Sequence, residues 1–157
     1  MAITTAAGIS STTVTTTQQA PLGFELVVPD GDNGEQVWVY VFNDEAATAF
    51  AQGTLVQRDA GTSTYDGIVS TGAVSPQRII GVAQHTIAAG SYGFILKSGI
   101  GQVLCDGNVS ADTAILPDAN AGQATDVAAV TSAAIGVALA DDTGAATLVA
   151  ARLSCVG

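Results

Sequence analysis

The stretch "QVWVYVF", residues 36–42, limits the fold more than any other part of the chain. Side chains alternate along a strand, so Val37, Val39 and Val41 face one way and Trp38, Tyr40 and Phe42 the other. Both rows are apolar. Such a strand is covered on both faces, by core on one side and by an arm, a loop or a neighbouring subunit on the other. Val37 to Phe42 is also the longest uninterrupted apolar run in a chain that is 48% hydrophobic. It falls far short of the roughly 18 residues of a membrane span. The apolar excess is therefore spread over short segments. This pattern suits a β protein that buries surface in its own core and against other subunits.

The remaining segments fit that reading. "FELVV" and "QVWVYVF" flank the turn-forming "PDGDNG" and predict a hairpin. "NDEAATAFAQG" reads as a short helical turn or a loop. "TLVQRD", "STYDGIVS", "RIIGVAQHTI", "YGFILKSG" and "GQVLCDG" read as short strands, with "SGIGQV" as a hairpin turn between the last two. "SADTAILPDANAGQATD" reads as a turn-rich surface segment, and "DVAAVTSA", "AIGVALA" and "ATLVAARLS" as closing strands. Short strands at such spacing indicate an all-β protein, a small barrel or sandwich. Residues 1–23 are rich in Thr, Ser, Ala and Gln and have no helical period. They are expected to form an extended N-terminal arm, and residues 24–157 the β-barrel body.

The tetrapeptide "IGVA" occurs at Ile80–Ala83 and again at Ile135–Ala138, each copy followed by a Gly-containing turn and another apolar run. The repetition predicts two equivalent strands of one barrel, with Ile80, Val82, Ile135 and Val137 in its core. In each copy Gly leaves room for a close neighbour.

Few functional chemistries suit this composition. Net charge is −10, with Arg58, Arg78, Lys97 and Arg152 as the cations, so phosphate is repelled rather than bound. Neither nucleic acid nor an anionic membrane surface is an expected partner. The lone histidine, His85, has no Cys or His at ligand spacing, and no GxSxG elbow is present. "DGDNGE" departs from a calcium loop because Gly34 stands where the fifth position needs an oxygen ligand. "SGIGQV" lacks the third Gly and following helix of a dinucleotide loop. "NVS" at residues 108–110 fits a glycosylation acceptor only in an exported chain, and "MAITTAAGISS" has neither the basic nor the apolar region of a signal peptide. Synthesis in a cytoplasm is expected. Cys105 and Cys155 read as small buried residues, and their spacing does not reveal whether they pair. No cofactor, metal or catalytic residue is expected, and the chain does not read as an enzyme.

The order of segments resembles a known family. An arm precedes "WVYVFNDEAATAFAQGTLV", then "RIIGVAQHTIAAGSYGFILKSGIGQVL", "VSADTAILPDANAGQAT" and "AAIGVALADDTGAATLVAARLS". This is similar to the small capsid decoration, or cement, proteins of tailed bacteriophages over roughly residues 23–154. "VSADTAI" stands where that family usually has a Gly-Asp pair. The resemblance implies a β-barrel body, homotrimers at threefold positions of an icosahedral shell, and arms reaching neighbouring subunits. The major capsid protein and further copies of the chain are then the partners, on the outer surface of a virion. Ile3, Ile9 and Val14 of the arm and Trp38, Tyr40 and Phe42 of the aromatic row are the candidate partner-binding residues. A fibre base or a glycan-binding adhesin is the alternative, although the single Trp lies within an apolar strand.

Overall fold

The computed structural model describes residues 9–59, 61, 63–72, 74–127 and 134–157. Regular structure among them is strand, apart from single 3-10 turns at Gly31–Asn33 and Pro76–Arg78, so the all-β expectation holds. The predicted hairpin is β1 (Glu25–Pro29) and β2 (Glu35–Asn43), with Gly31–Asn33 at its tip. Then come β3 (Leu55–Arg58), β4 (Asp66–Val69), β5 (Ile79–Val82) and β6 (Tyr92–Cys105). β7 (Asn108–Val109), β8 (Ala114–Pro117), β9 (Ala124–Val127), β10 (Gly136–Ala138), β11 (Asp142–Thr143) and β12 (Thr147–Ser154) complete the order.

Two local expectations are corrected. "SGIGQV" is not a hairpin turn, because β6 runs through it unbroken. Gly99, at φ 110°, and a bulge opposite Val37 and Trp38 bend the strand without ending it. Residues 110–126 do not merely wrap the surface, since they supply β8 and β9 to the sheet. Of the two readings of residues 43–53, the structure shows the loop. The buried Asn43 side chain holds it by donating to the carbonyls of Thr48 (3.0 Å) and Ile87 (2.9 Å).

The pairings close two rings. β2 pairs in parallel with β4, β4 with β3, β3 with β5, β5 with β6, and β6 returns to β2. β6 pairs in parallel with β9, β9 with β8, β8 with β10, β10 with β12, and β12 returns to β6. Each ring is a small five-stranded barrel, and β6 belongs to both. Strand directions match step for step, so the second barrel repeats the topology of the first.

The repetition extends to single residues. Gly81 pairs with Val56 and Val82 with Leu55, as Gly136 pairs with Ile115 and Val137 with Ala114. Gly53 N–H donates to Ala83 O (2.7 Å) and Ala83 N–H to Thr54 O (3.0 Å). In the second barrel Asp112 N–H donates to Ala138 O and Ala138 N–H to Thr113 O, both at 2.9 Å. Gly53 has φ 84° and Asp112 φ 63°, a matching left-handed turn. The bridge Phe50–Ile87 has its counterpart in the β7–β11 pair Val109–Asp142.

The two IGVA segments thus occupy equivalent places, but in two barrels rather than one. A further correction concerns Val137, which is 37% exposed instead of buried. Ile80 and Val82 lie in different core clusters, because the β3–β5 register slips between Val56 and Gln57 and breaks the alternation there. Ile135 precedes β10 and points into the core, while Val137 points out.

Val39, Val41, Phe50, Val56, Ile80 and Ile95 fill the first barrel. A larger cluster runs from the outer face of that barrel (Trp38, Tyr40, Phe94, Leu96) into the interior of the second (Val103, Ile115, Ile135, Val149, Leu153). Both faces of β2 are therefore covered at Trp38–Val41, with Val37 and Phe42 half-buried.

Candidate interaction surfaces

The outer face of the first barrel carries three cross-strand pairs between β2 and β6: Trp38–Leu96, Tyr40–Phe94 and Phe42–Tyr92. The rings contact one another. Centroids of Tyr40 and Phe94 are 5.0 Å apart, those of Phe42 and Tyr92 4.8 Å, and Tyr40 stacks on Tyr92 at 6.1 Å. Such pairs contribute about 0.5–1.5 kcal/mol each beyond their burial.

Residues 9–23 strap this face. Thr15 and Tyr92 exchange backbone hydrogen bonds (3.0 and 2.7 Å) on the β6 edge opposite β2. Gln19 N–H donates to the Tyr40 hydroxyl (3.0 Å), and Gly23 N–H to the Tyr40 carbonyl (2.8 Å). Ile9 is in the core cluster, and Ala20 and Leu22 pack against it. The candidate partner-binding residues are therefore divided. Ile9, Trp38 and Tyr40 are buried inside this chain and offer a partner no surface. Phe42 is half-buried, Val14 is 37% exposed, and Ile3 lies outside the described residues.

Sequence reasoning missed the equivalent face of the second barrel. Its cross-strand pairs, between β6 and β12, are Ile100–Arg152, Gln102–Ala150 and Leu104–Leu148. β10 adds Val137, opposite Arg152, and the residue after β10 is Leu139, whose N–H donates to Ala150 O (2.8 Å). No strap crosses it among the described residues. Val137, Leu139 and Leu148 are 37–40% exposed, and Arg152 is exposed. A groove of about 520 Å³ runs along its margin where the barrels meet, lined by Ser98, Gly99, Val137 and Arg152 among others. Arg152 has no carboxylate within ion-pair distance among the described residues, although Glu35 lines the same groove. The ion pair that does form is Lys97–Glu25, at 2.7 Å. The signal for this face lay in the repeat itself: the outer row of "ATLVAARLS" carries Leu148, Ala150 and Arg152 where "YGFIL" carries Tyr92, Phe94 and Leu96.

The polar groups do not gather into a reactive constellation. His85 lies against Trp38 (centroids 6.4 Å apart), its Nε2 is buried without a hydrogen-bond partner, and burial lowers its pKa. Both cysteines are free and buried, with thiols pushed up to about 12. Burial is the main cause, reinforced at Cys105 by Asp142, Asp106 and Asp126 and partly offset at Cys155 by Lys97. Thiols so protonated are poor nucleophiles and poor metal ligands. Among the described residues no three His, Cys, Asp or Glu side chains gather as metal ligands would. No helix among them is long and apolar enough to cross a membrane.

No protein-family profile matches the chain, and no curated protein matches it in sequence. Among solved structures it is similar in fold to the head fibre gp8.5 N base of bacteriophage phi29, with a TM-score of 0.53 and 15% identity. The match covers 76% of this chain and 94% of that one.

Proposed function

We propose that this chain is a structural protein of a phage virion. It acts as a decoration or cement protein, binding the major capsid protein on the outer surface of an icosahedral shell. It sits as a trimer at capsomer junctions and stabilises the shell against the pressure of the packaged genome. The observation that carries this reading is the fold shared with a phage head-fibre N base over nearly all of that solved chain. The ordered resemblance to decoration proteins supports it. The net charge of −10 supports a place outside the shell, away from the genome. A protein that binds the assembled shell and not its separated subunits stabilises the assembly by mass action. Several weak contacts made at once raise avidity without strengthening any single one.

A second reading, the base of a head fibre, draws on the same structural match. One experiment separates the two. Particles stripped of the protein are heated with and without its re-addition, and genome release is followed. Cement protein raises the release temperature. Bound protein that leaves release unchanged favours the fibre base.

A further inference from the structure

We propose that the outer face of the second barrel is the docking surface for an extended, mostly apolar segment of a shell protein that carries one carboxylate. This inference rests on the virion reading above. The first barrel shows what such a face needs. There Tyr40 and Phe94 are fully buried, in a row that residues 9–23, a segment with no charged side chain, strap at Tyr40 and Tyr92, while Val82 and Leu96 of the same face are buried in the cluster that runs on into the second barrel. At the equivalent places of the second barrel stand Val137, 37% exposed, and an exposed Arg152. Among the described residues no such strap crosses the second barrel, whose first strand, β6, continues directly from the first barrel.

The substitutions across the repeat describe the missing occupant. Leu104 and Leu148 stand where the first barrel has Phe42 and Tyr92, and Val137 and Leu139 extend the aliphatic row, so the occupant presents apolar side chains. Its carboxylate is specified by Arg152, an Arg flanked by Val137 and Ile100 on a chain that otherwise repels anions. A carboxylate held between such apolar neighbours pairs more strongly than one in open water. The groove beside Arg152 gives the segment a place to enter.

The test uses the full chain and stripped particles. Re-binding of wild type, Arg152→Glu, Arg152→Lys and Leu148→Asp is measured by co-sedimentation, with Thr86→Asp on the first barrel as a control. Each altered residue is exposed, and unfolding midpoints are recorded alongside. Arg152→Glu and Leu148→Asp are expected to weaken binding about tenfold or more, with Arg152→Lys intermediate and Thr86→Asp unchanged. Wild type that binds while both variants bind equally well overturns the docking surface and leaves the virion reading intact. Failure of wild type to bind overturns both. Light scattering supplies the last outcome: variants that dissociate a soluble oligomer make the face a contact between copies and overturn the shell-segment proposal.

Discussion

The two barrels share a ring of five strands, a left-handed turn and an IGVA strand, yet their outer faces have diverged. Equivalent pairs read Tyr40–Phe94 in the first and Gln102–Ala150 in the second. One face is aromatic and strapped by the chain itself. The other is aliphatic and, among the described residues, has no strap and an Arg with no ion-pair partner. Inside, Ile87 of the first barrel corresponds to the buried Asp142 of the second, which accepts from Gly107 N–H at 3.0 Å. Duplication preserves what closes a ring, the backbone register and, apart from Asp142, a largely apolar interior. It leaves the outward row free to follow whatever covers it.

The largest expected effect tests this division. Phe94 is fully buried beneath the strap, so Phe94→Ala should cost about 3–5 kcal/mol in urea unfolding. Leu148, 40% exposed in the equivalent row, should cost less than about 1 kcal/mol when replaced by Ala. Equal losses would show that the second face is as buried as the first in solution, as it would be in an oligomer.

The IGVA valines repeat the comparison on a smaller scale. Val82→Ala removes side-chain atoms from a fully buried site and should cost about 1–3 kcal/mol. Val137→Ala should stay within about 0.5 kcal/mol for the free chain. If Val137→Ala alone lowers the unfolding midpoint in a concentration-dependent way, the face is already occupied by another copy.

The sequence signalled the duplication more clearly than the barrels themselves. Two IGVA copies, each followed by a turn and an apolar run, marked equivalent strands. The barrel count was hidden in "YGFILKSGIGQVLC". Three glycines there suggest strand ends, but Gly93 faces the Ile87 side chain within a strand and Gly99 bends one that continues. The two-sided burial of β2 was legible from alternation alone. Its cover was not, because the strap holds by backbone bonds such as Thr15–Tyr92, which any residue type can make. Val137 was misplaced for a related reason: alternation assumes an unbroken strand, and Ile135 lies outside β10.

The pH effect of a histidine should belong to the first barrel alone, since Ala140 stands at the place of His85 in the second. Burial lowers the folded pKa of His85 below its ordinary 6.5, so the unfolded chain takes up the proton first as pH falls. Stability from this group is then fully present above 6.5 and is lost progressively as pH drops from that value through the lower folded pKa. His85→Gln should flatten the midpoint between pH 7 and the region where carboxylates begin to titrate, about pH 5. An unchanged slope would mean that the ring is protonated equally in both states.

The smallest expected effect lies in the turns before β3 and β8. Both place one residue in left-handed backbone, Gly53 in the first barrel and Asp112 in the second. Gly53 cannot accept a side chain, since a Cβ there would run into Leu148 and the Leu104 backbone nitrogen. Asp112 is exposed and faces no such limit. A non-Gly residue at that φ is strained by about 1–2 kcal/mol, less for Asp, whose short side chain tolerates it. Replacement by Gly relieves the strain but adds about 0.5–1 kcal/mol of unfolded-chain entropy. The terms nearly cancel, so Asp112→Gly should shift stability by no more than about 0.5 kcal/mol, whereas Gly53→Asp should be strongly destabilising. A loss above roughly 1.5 kcal/mol for Asp112→Gly would assign the Asp112 side chain a contact of its own. The turn of the second barrel would then be a specialised element rather than a relaxed copy of the first.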